Sequence, residues 1–274
     1  MRHLCHRWFG LLIGAWSAVL LVLAFATASG GDATVVEHRS AVAARVAVNR
    51  ATVDLIRAAG QSVAVQISDY HFLRDCRVSL VRGGAEYRRV VRLHLLPGAE
   101  AELVELIARE LPDDYRATTY RSDGRHRLSA SGDEFVELTS TGGSPGQGVL
   151  QVEVDTGCRP LDGPVVTLRT PPTRTELARI DEVLDLLGLS RDSAARLRWR
   201  TETIGCGDGS LRSVEFSSTS VPDRPLGDLA DLTPPDAKVL VREPEVLAYR
   251  QGAVSVLATT TEGRLRVTTT SMDC

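Results

Sequence analysis

Apolar and polar positions divide the chain into one long uncharged run and a series of short alternating segments. No charged residue occurs from Trp8 to Gly31. A helix of about 20 apolar residues crosses a bilayer core, so residues 8–28 are long enough for a single-pass signal anchor. Ala26-Thr27-Ala28 also fits the small-residue site of a secretory signal peptide cleaved after Ala28. Arg2 and Arg7 precede the run, and Asp32 and Glu37 follow it against a single Arg39. This asymmetry keeps the N-terminus inside and carries the rest of the chain out of the cytoplasm, tethered or secreted.

Beyond this segment the pattern is one of strands and short helices. GVLQVEVDTGC closes at Cys158 and GRLRVTTTSMDC at Cys274, each alternating apolar and polar residues into a cysteine. Upstream, RLSASGDEFVELTS (127–140) aligns with LAYRQGAVSVLATT (247–260), placing Gly132 opposite Gly252, and LPDDYRATTY (111–120) aligns with PPDAKVLVRE (234–243). ELVELIAREL (102–111) and LGDLADL (226–232) read as helices ended by Pro112 and Pro234-Pro235. A leading helix opens each half. In the second half Thr173 is its N-cap, Glu176 completes a capping box, Gly188 stops it, and Leu177, Ile180, Leu184 and Leu187 form one apolar face. In the first half it covers roughly 35–59, with Val42, Val46, Val53 and Ile56 on one side. Hairpins are expected over 62–82 and 86–95, flanking Gly83-Gly84, and over 196–206 and 211–219, flanking Asp208-Gly209. Three strands finish each half. TSTGGSPGQG joins the last two in the first half, and Glu262-Gly263 joins them in the second.

The fold class expected is therefore α+β: an N-terminal membrane-spanning or signal helix over 1–31, then two tandem copies of an α-β-β-α-β-β-β module with mostly antiparallel sheet. The copies span 32–159 and 173–274, joined by the Pro-rich linker 160–172. Cys5 precedes the apolar run, leaving Cys76, Cys158, Cys206 and Cys274 in the exported part. An even number of cysteines in an oxidising compartment indicates disulfides. Four cysteines allow three pairings. Copies that close separately select Cys76–Cys158 and Cys206–Cys274, each joining a first strand to a last one.

Composition adds limits. The chain has 274 residues, a net charge of −3 and 5% aromatics, which argues against nucleic acid as a partner. Lys238 is the only lysine, a codon-usage signature of a GC-rich bacterial genome. Val154-Asp155-Thr156-Gly157 resembles the catalytic loop of aspartic proteases, but that chemistry needs two carboxylates sharing a proton, and the matching place in the second half reads Ser271-Met272-Asp273. A strand ending in a turn beside Cys158 accounts for the same residues. Asp69-Tyr70-His71 places a carboxylate on the strand face of an imidazole. His38, His94 and His126 show no metal-ligand spacing, the cysteines lie too far apart for a metal site, and no cofactor loop is present. Arg82, Arg88 and Arg92 of the first hairpin fall on one strand face and are possible contacts for an anionic lipid headgroup or cell-wall polymer. The expectation is an exported envelope protein acting as a noncatalytic, membrane-anchored interaction module for an unknown envelope protein. Binding of an anionic ligand through those arginines, or an unrecognised enzyme, is the alternative.

Overall fold

The computed structural model describes residues 14–22, 39–79, 81–132, 136–142, 146–165, 170–189 and 198–274. Residues 14–22 are helical and expose Trp16, Val19, Leu20, Leu21 and Val22. The rest of the apolar run and the cleavage position after Ala28 lie outside the described residues. No helix among the described residues is long and apolar enough to cross a membrane.

Residues Ser40–Cys274 form one compact unit of mixed α/β structure with two antiparallel sheets. The first half contains α1 (Ala41–Ala59), β1 (Ala64–Ile67), β2 (His71–Arg77), β3 (Gly83–His94), α2 (Glu100–Glu110), a 3-10 turn at Asp113–Tyr115, β4 (Thr118–Ser122), β5 (Arg125–Ser131), β6 (Glu137–Gly142) and β7 (Val149–Arg159). The second half contains α3 (Arg174–Leu186), β8 (Arg198–Cys206), β9 (Gly209–Ser218), a 3-10 helix at Leu226–Leu232, β10 (Lys238–Glu243), β11 (Val246–Gln251), β12 (Val254–Thr261) and β13 (Arg264–Met272). The first sheet runs β1-β3-β7-β6-β5-β4, with β2 also on β3, and the second runs β10-β11-β12-β13-β9-β8. Read from β2 and from β8, the two sheets have the same strand order.

The helices start and stop where local chemistry dictates. Ser40 Oγ accepts from Ala43 N to cap α1, and Gly60 ends that helix at φ 70°. Thr173 and Glu176 cap α3 reciprocally. Leu226–Leu232, expected as an α-helix, is 3-10: seven residues capped by Thr233, ahead of Pro234-Pro235, are too few for a stable α-helical run. The expected strand 62–82 is split at 68–70, where Ser68 Oγ donates to the Asp69 carbonyl. The hairpin turn precedes Gly83-Gly84 and is closed by Val78 N and Ser79 N donating to the Arg82 carbonyl. In the second half the turn is Gly207-Asp208, with Gly207 at φ 63°.

Both disulfides are present, with Cα separations of 5.9 Å for Cys76–Cys158 and 5.7 Å for Cys206–Cys274. The two bridges use one device. Gly84 lies directly opposite Cys76 and Gly209 directly opposite Cys206. A Cβ on Gly84 would collide with the Arg159 carbonyl, and one on Gly209 with the Asp273 carbonyl. Bare glycine lets the last strand pass close enough for its cysteine to reach across. Loops of 82 and 68 residues are each worth about 4 kcal/mol in the chain-entropy account.

Two cores result. In the first, α1 and α2 cover Val91 and Leu93 of β3, Leu128 of β5, Leu138 of β6 and Val152 of β7. Ile204 and Leu211 of the second half are buried in that same core. In the second, Ile180, Val183 and Leu184 of α3 pack on Phe216, Val256 and Val267. The opposite face of the second sheet meets the edge of the first. Ser255 Oγ accepts from Val65 N, Thr270 Oγ1 donates to the Val65 carbonyl, and Arg250 donates to the Val63 carbonyl. The fully buried Arg89 guanidinium bonds Glu202 at 3.2 Å and the Ser68 carbonyl at 2.6 Å.

Gly84→Ala or Gly209→Ala lowers the yield of its own bridge in a nonreducing peptide map and costs about 1–3 kcal/mol. An unchanged map and melting curve would show that the close approach does not matter. Arg89→Met strands Glu202 as a buried charge, for an expected loss of about 3–5 kcal/mol in denaturant unfolding, while Arg89→Met with Glu202→Leu recovers most of it.

Candidate functional site

The hairpin arginines occupy different environments. Arg82 lies in the turn and pairs with Asp162 at 3.4 Å. Arg88 and Arg92 do share the face of β3 turned away from α1 and α2. Antiparallel pairing sets Arg88 opposite Asp155 of β7. Its guanidinium bonds both Asp155 oxygens, at 2.7 and 3.2 Å, and also reaches Glu153. Burial pulls the Arg88 guanidinium down, but Asp155, with Glu153 and Glu86 beyond it, holds it above its ordinary value. Arg92 donates to Gln151 Oε1 at 3.0 Å. Of the three, Arg92 alone has no carboxylate in its described contacts.

The Asp-Thr-Gly stretch lies in β7, with Asp155 held by Arg88. Burial raises the Asp155 carboxyl above the usual carboxylate range, Arg88 opposes this, and the neighbouring Glu86 and Glu153 add to the rise. Thr156 is buried, its Oγ1 accepting from Tyr87 N, and Gly157 sits at φ 62° beside Cys158. Asp155 thus holds two strands together. The Asp69 carboxylate lies 3.8 Å from His71 Nδ1 but is engaged more closely elsewhere. Its Oδ1 takes Arg200 at 2.7 Å, and His71 Nδ1 lies 3.1 Å from the Asp69 carbonyl. Lys238 is exposed at the start of β10, and His38 lies outside the described residues.

His94 is the buried exception. It ends β3 between Ala64 of β1 and Val149 of β7, and neither ring nitrogen has a hydrogen-bond partner among the described residues. Burial, with the charge of Arg92 nearby, pushes its imidazole down to about 4.

A cleft of about 290 Å³ opens where the β4–β5 turn, β6 and the start of β7 meet the N-terminus of α2. Asp123 and Gly124 form that turn with φ of 51° and 74°. Arg121, Arg125, His126 and Arg127 line the cleft with the Ser140 and Thr141 hydroxyls. Arg121 and Arg125 make no ion pair or hydrogen bond among the described residues. Arg127 donates to the Ser140 carbonyl at 3.4 Å, with Asp123 3.9 Å away, and its buried Nε–H finds no acceptor among those residues. His126 Nδ1 lies 3.5 Å from Glu105. Glu100 is the only acid in the lining, and its Oε1 accepts from Gly148 N at 2.7 Å. The sequence signal for this cluster was RSDGRHR, three arginines around an Asp-Gly turn, which reads in isolation as an ordinary polar hairpin tip.

Comparison of the chain with protein-family models, curated proteins and solved structures gives no match.

The His94 environment sets a pH dependence. Its value in the fold lies below the ordinary 6.5, so between about 6.5 and 4 the unfolded chain binds the extra proton. Stability is unaffected by His94 above that window and falls as pH drops through it, by about 3 kcal/mol in full. His94→Leu flattens this part of the curve when unfolding is measured against pH, and an equally steep decline in the variant would assign the effect to other groups.

Proposed function

We propose that the protein is an exported, noncatalytic interaction module of the bacterial envelope. It consists of two tandem α+β modules, 32–159 and 173–274, tethered through residues 8–28. The observation that carries this reading is the pair of disulfides, one closing each sheet at the same place in its strand order. Bridges of this kind persist in an oxidising compartment. The shared strand order supports a duplication. The catalytic reading has lost its motif, because Asp155 is spent on Arg88. The partner is an envelope protein. The loops beside the first bridge are joined by the Arg82–Asp162 pair and expose Val81 and Leu161, each next in sequence to one member of it, which favours protein contact there.

The full-length chain fused at its C-terminus to alkaline phosphatase, an enzyme active only outside the cytoplasm, is expected to be active in cells. An inactive, stable fusion would overturn export. In-cell cross-linking followed by capture should yield one stoichiometric envelope protein, lost when all four bridge cysteines are serine. No such protein at good bait recovery would overturn the interaction reading.

A further inference from the structure

We propose that the cleft at the Asp123-Gly124 end of the first sheet binds a small phosphate-bearing ligand. The inference goes beyond the protein-interaction reading and does not depend on it.

Charge accounting carries the argument. Elsewhere on the two sheets the arginines that meet carboxylates are neutralised: Arg74 by Glu86, Arg88 by Glu153 and Asp155, Arg89 by Glu202, and Arg212 by Glu176. In the cleft Arg127 has Asp123 at 3.9 Å, whereas Arg121 and Arg125 have no carboxylate partner among the described residues, and the lining carboxylate of Glu100 is occupied by a backbone N–H. Three guanidinium groups against Glu100 and Asp123 leave an excess of about one positive charge. A phosphomonoester carries about −1.5 to −2 at neutral pH and presents three acceptor oxygens. Guanidinium forks match those oxygens in pairs. Arg121 and Arg125 stand on neighbouring strands, with Arg121 opposite His126 and Arg125 opposite Ser122. This register puts them on opposite faces of the hairpin end, so they border the cleft from its two sides.

One further feature favours an anion. Ser140 lines the cleft at 3% exposure, and its Oγ accepts from Leu128 N at 2.7 Å, which leaves its O–H available to donate. The N-terminus of α2 borders the same space; its N-cap, Ala99, supplies no side-chain cap, and its first turn carries Glu100 and Glu102. Those carboxylates offset the positive end of the helix, so the attraction for an anion comes from the arginines and the Ser140 hydroxyl. A volume of about 290 Å³ suits a phosphate group with a small organic body.

The test is calorimetric titration of the full-length chain in nonionic detergent with glycerol 3-phosphate, inorganic phosphate and succinate. Glycerol 3-phosphate is expected to bind in the micromolar to millimolar range, more weakly at higher salt and more tightly than succinate. Arg121→Gln with Arg125→Gln should weaken it at least about tenfold, whereas Arg82→Gln with Arg92→Gln leaves it unchanged. Both pairs of positions are away from the buried cores, and melting curves check that the fold persists. Flotation with phosphatidic acid vesicles, against phosphatidylcholine, separates the two sources of the same group. Loss of flotation in the Arg121/Arg125 variant, with no binding of free glycerol 3-phosphate, assigns the group to a lipid headgroup. No binding of any phosphate probe at about 10 mM, succinate binding as tightly as glycerol 3-phosphate, or full binding by the Arg121/Arg125 variant overturns the proposal.

Discussion

The arrangement depends on how the free edge of β1 is satisfied. An edge strand presents unpaired N–H and C=O groups, and each one buried without a partner costs about 1–3 kcal/mol. Here the outward groups of Val63 and Val65 meet side chains on the face of the second sheet rather than another strand. Ser255, Thr270 and Arg250 act as the missing strand. This fixes an edge-to-face contact that neither half can form alone. Ala64 then packs against Leu240, Ala248 and Leu257, and the Arg89–Glu202 pair closes the contact beside α1. Replacing the pair by apolar groups need not cost stability, but half of it cannot be left in place. It therefore favours a single docking of the two sheets.

Within that contact the two sheets solve the same problems in the same order. Each has a hairpin first, a central strand paired to the last one, and a glycine opposite the first cysteine. Their coverings differ. The first sheet has α1 and α2 on its inner face, whereas the second has α3 and a single 3-10 helix there and uses the first half to cover its other face. The difference lies in chain length: seven residues between Pro225 and Thr233 leave room for 3-10 turns only.

Much of this was legible. The Thr173–Glu176 capping box, the Glu262-Gly263 turn and the cysteine pairing all follow from local chemistry and the parallel between the halves. The seam was not legible, because it is polar. Ser213, Ser255, Thr268 and Thr270 are buried, yet their residue types are those of a solvated strand face. Period-two alternation reports that two faces differ, and it does not report that the polar one meets water. The brief β1 was hidden in a longer strand signal because the break at 68–70 serves distant groups: the Ser68 carbonyl takes Arg89, 21 residues away, and Asp69 takes Arg200, 131 residues away.

The arginines show the same limit from the side of chemistry. A count along the hairpin puts Arg82, Arg88 and Arg92 together as a basic patch. Register decides otherwise, since β7 runs antiparallel to β3 and sets Asp155 opposite Arg88, with Glu153 two residues along on the same face. A cation in the middle of a sheet acquires the neighbours its register imposes, and those are acidic here. Arg121 and Arg125 flank the two-residue turn of the edge hairpin, where their cross-strand partners are His126 and Ser122 and not carboxylates. Their charge is answered neither by register nor by the one lining acid. A basic patch is therefore better sought at the ends of strands than along them, and in this chain that criterion points to RSDGRHR rather than to the longer arginine run.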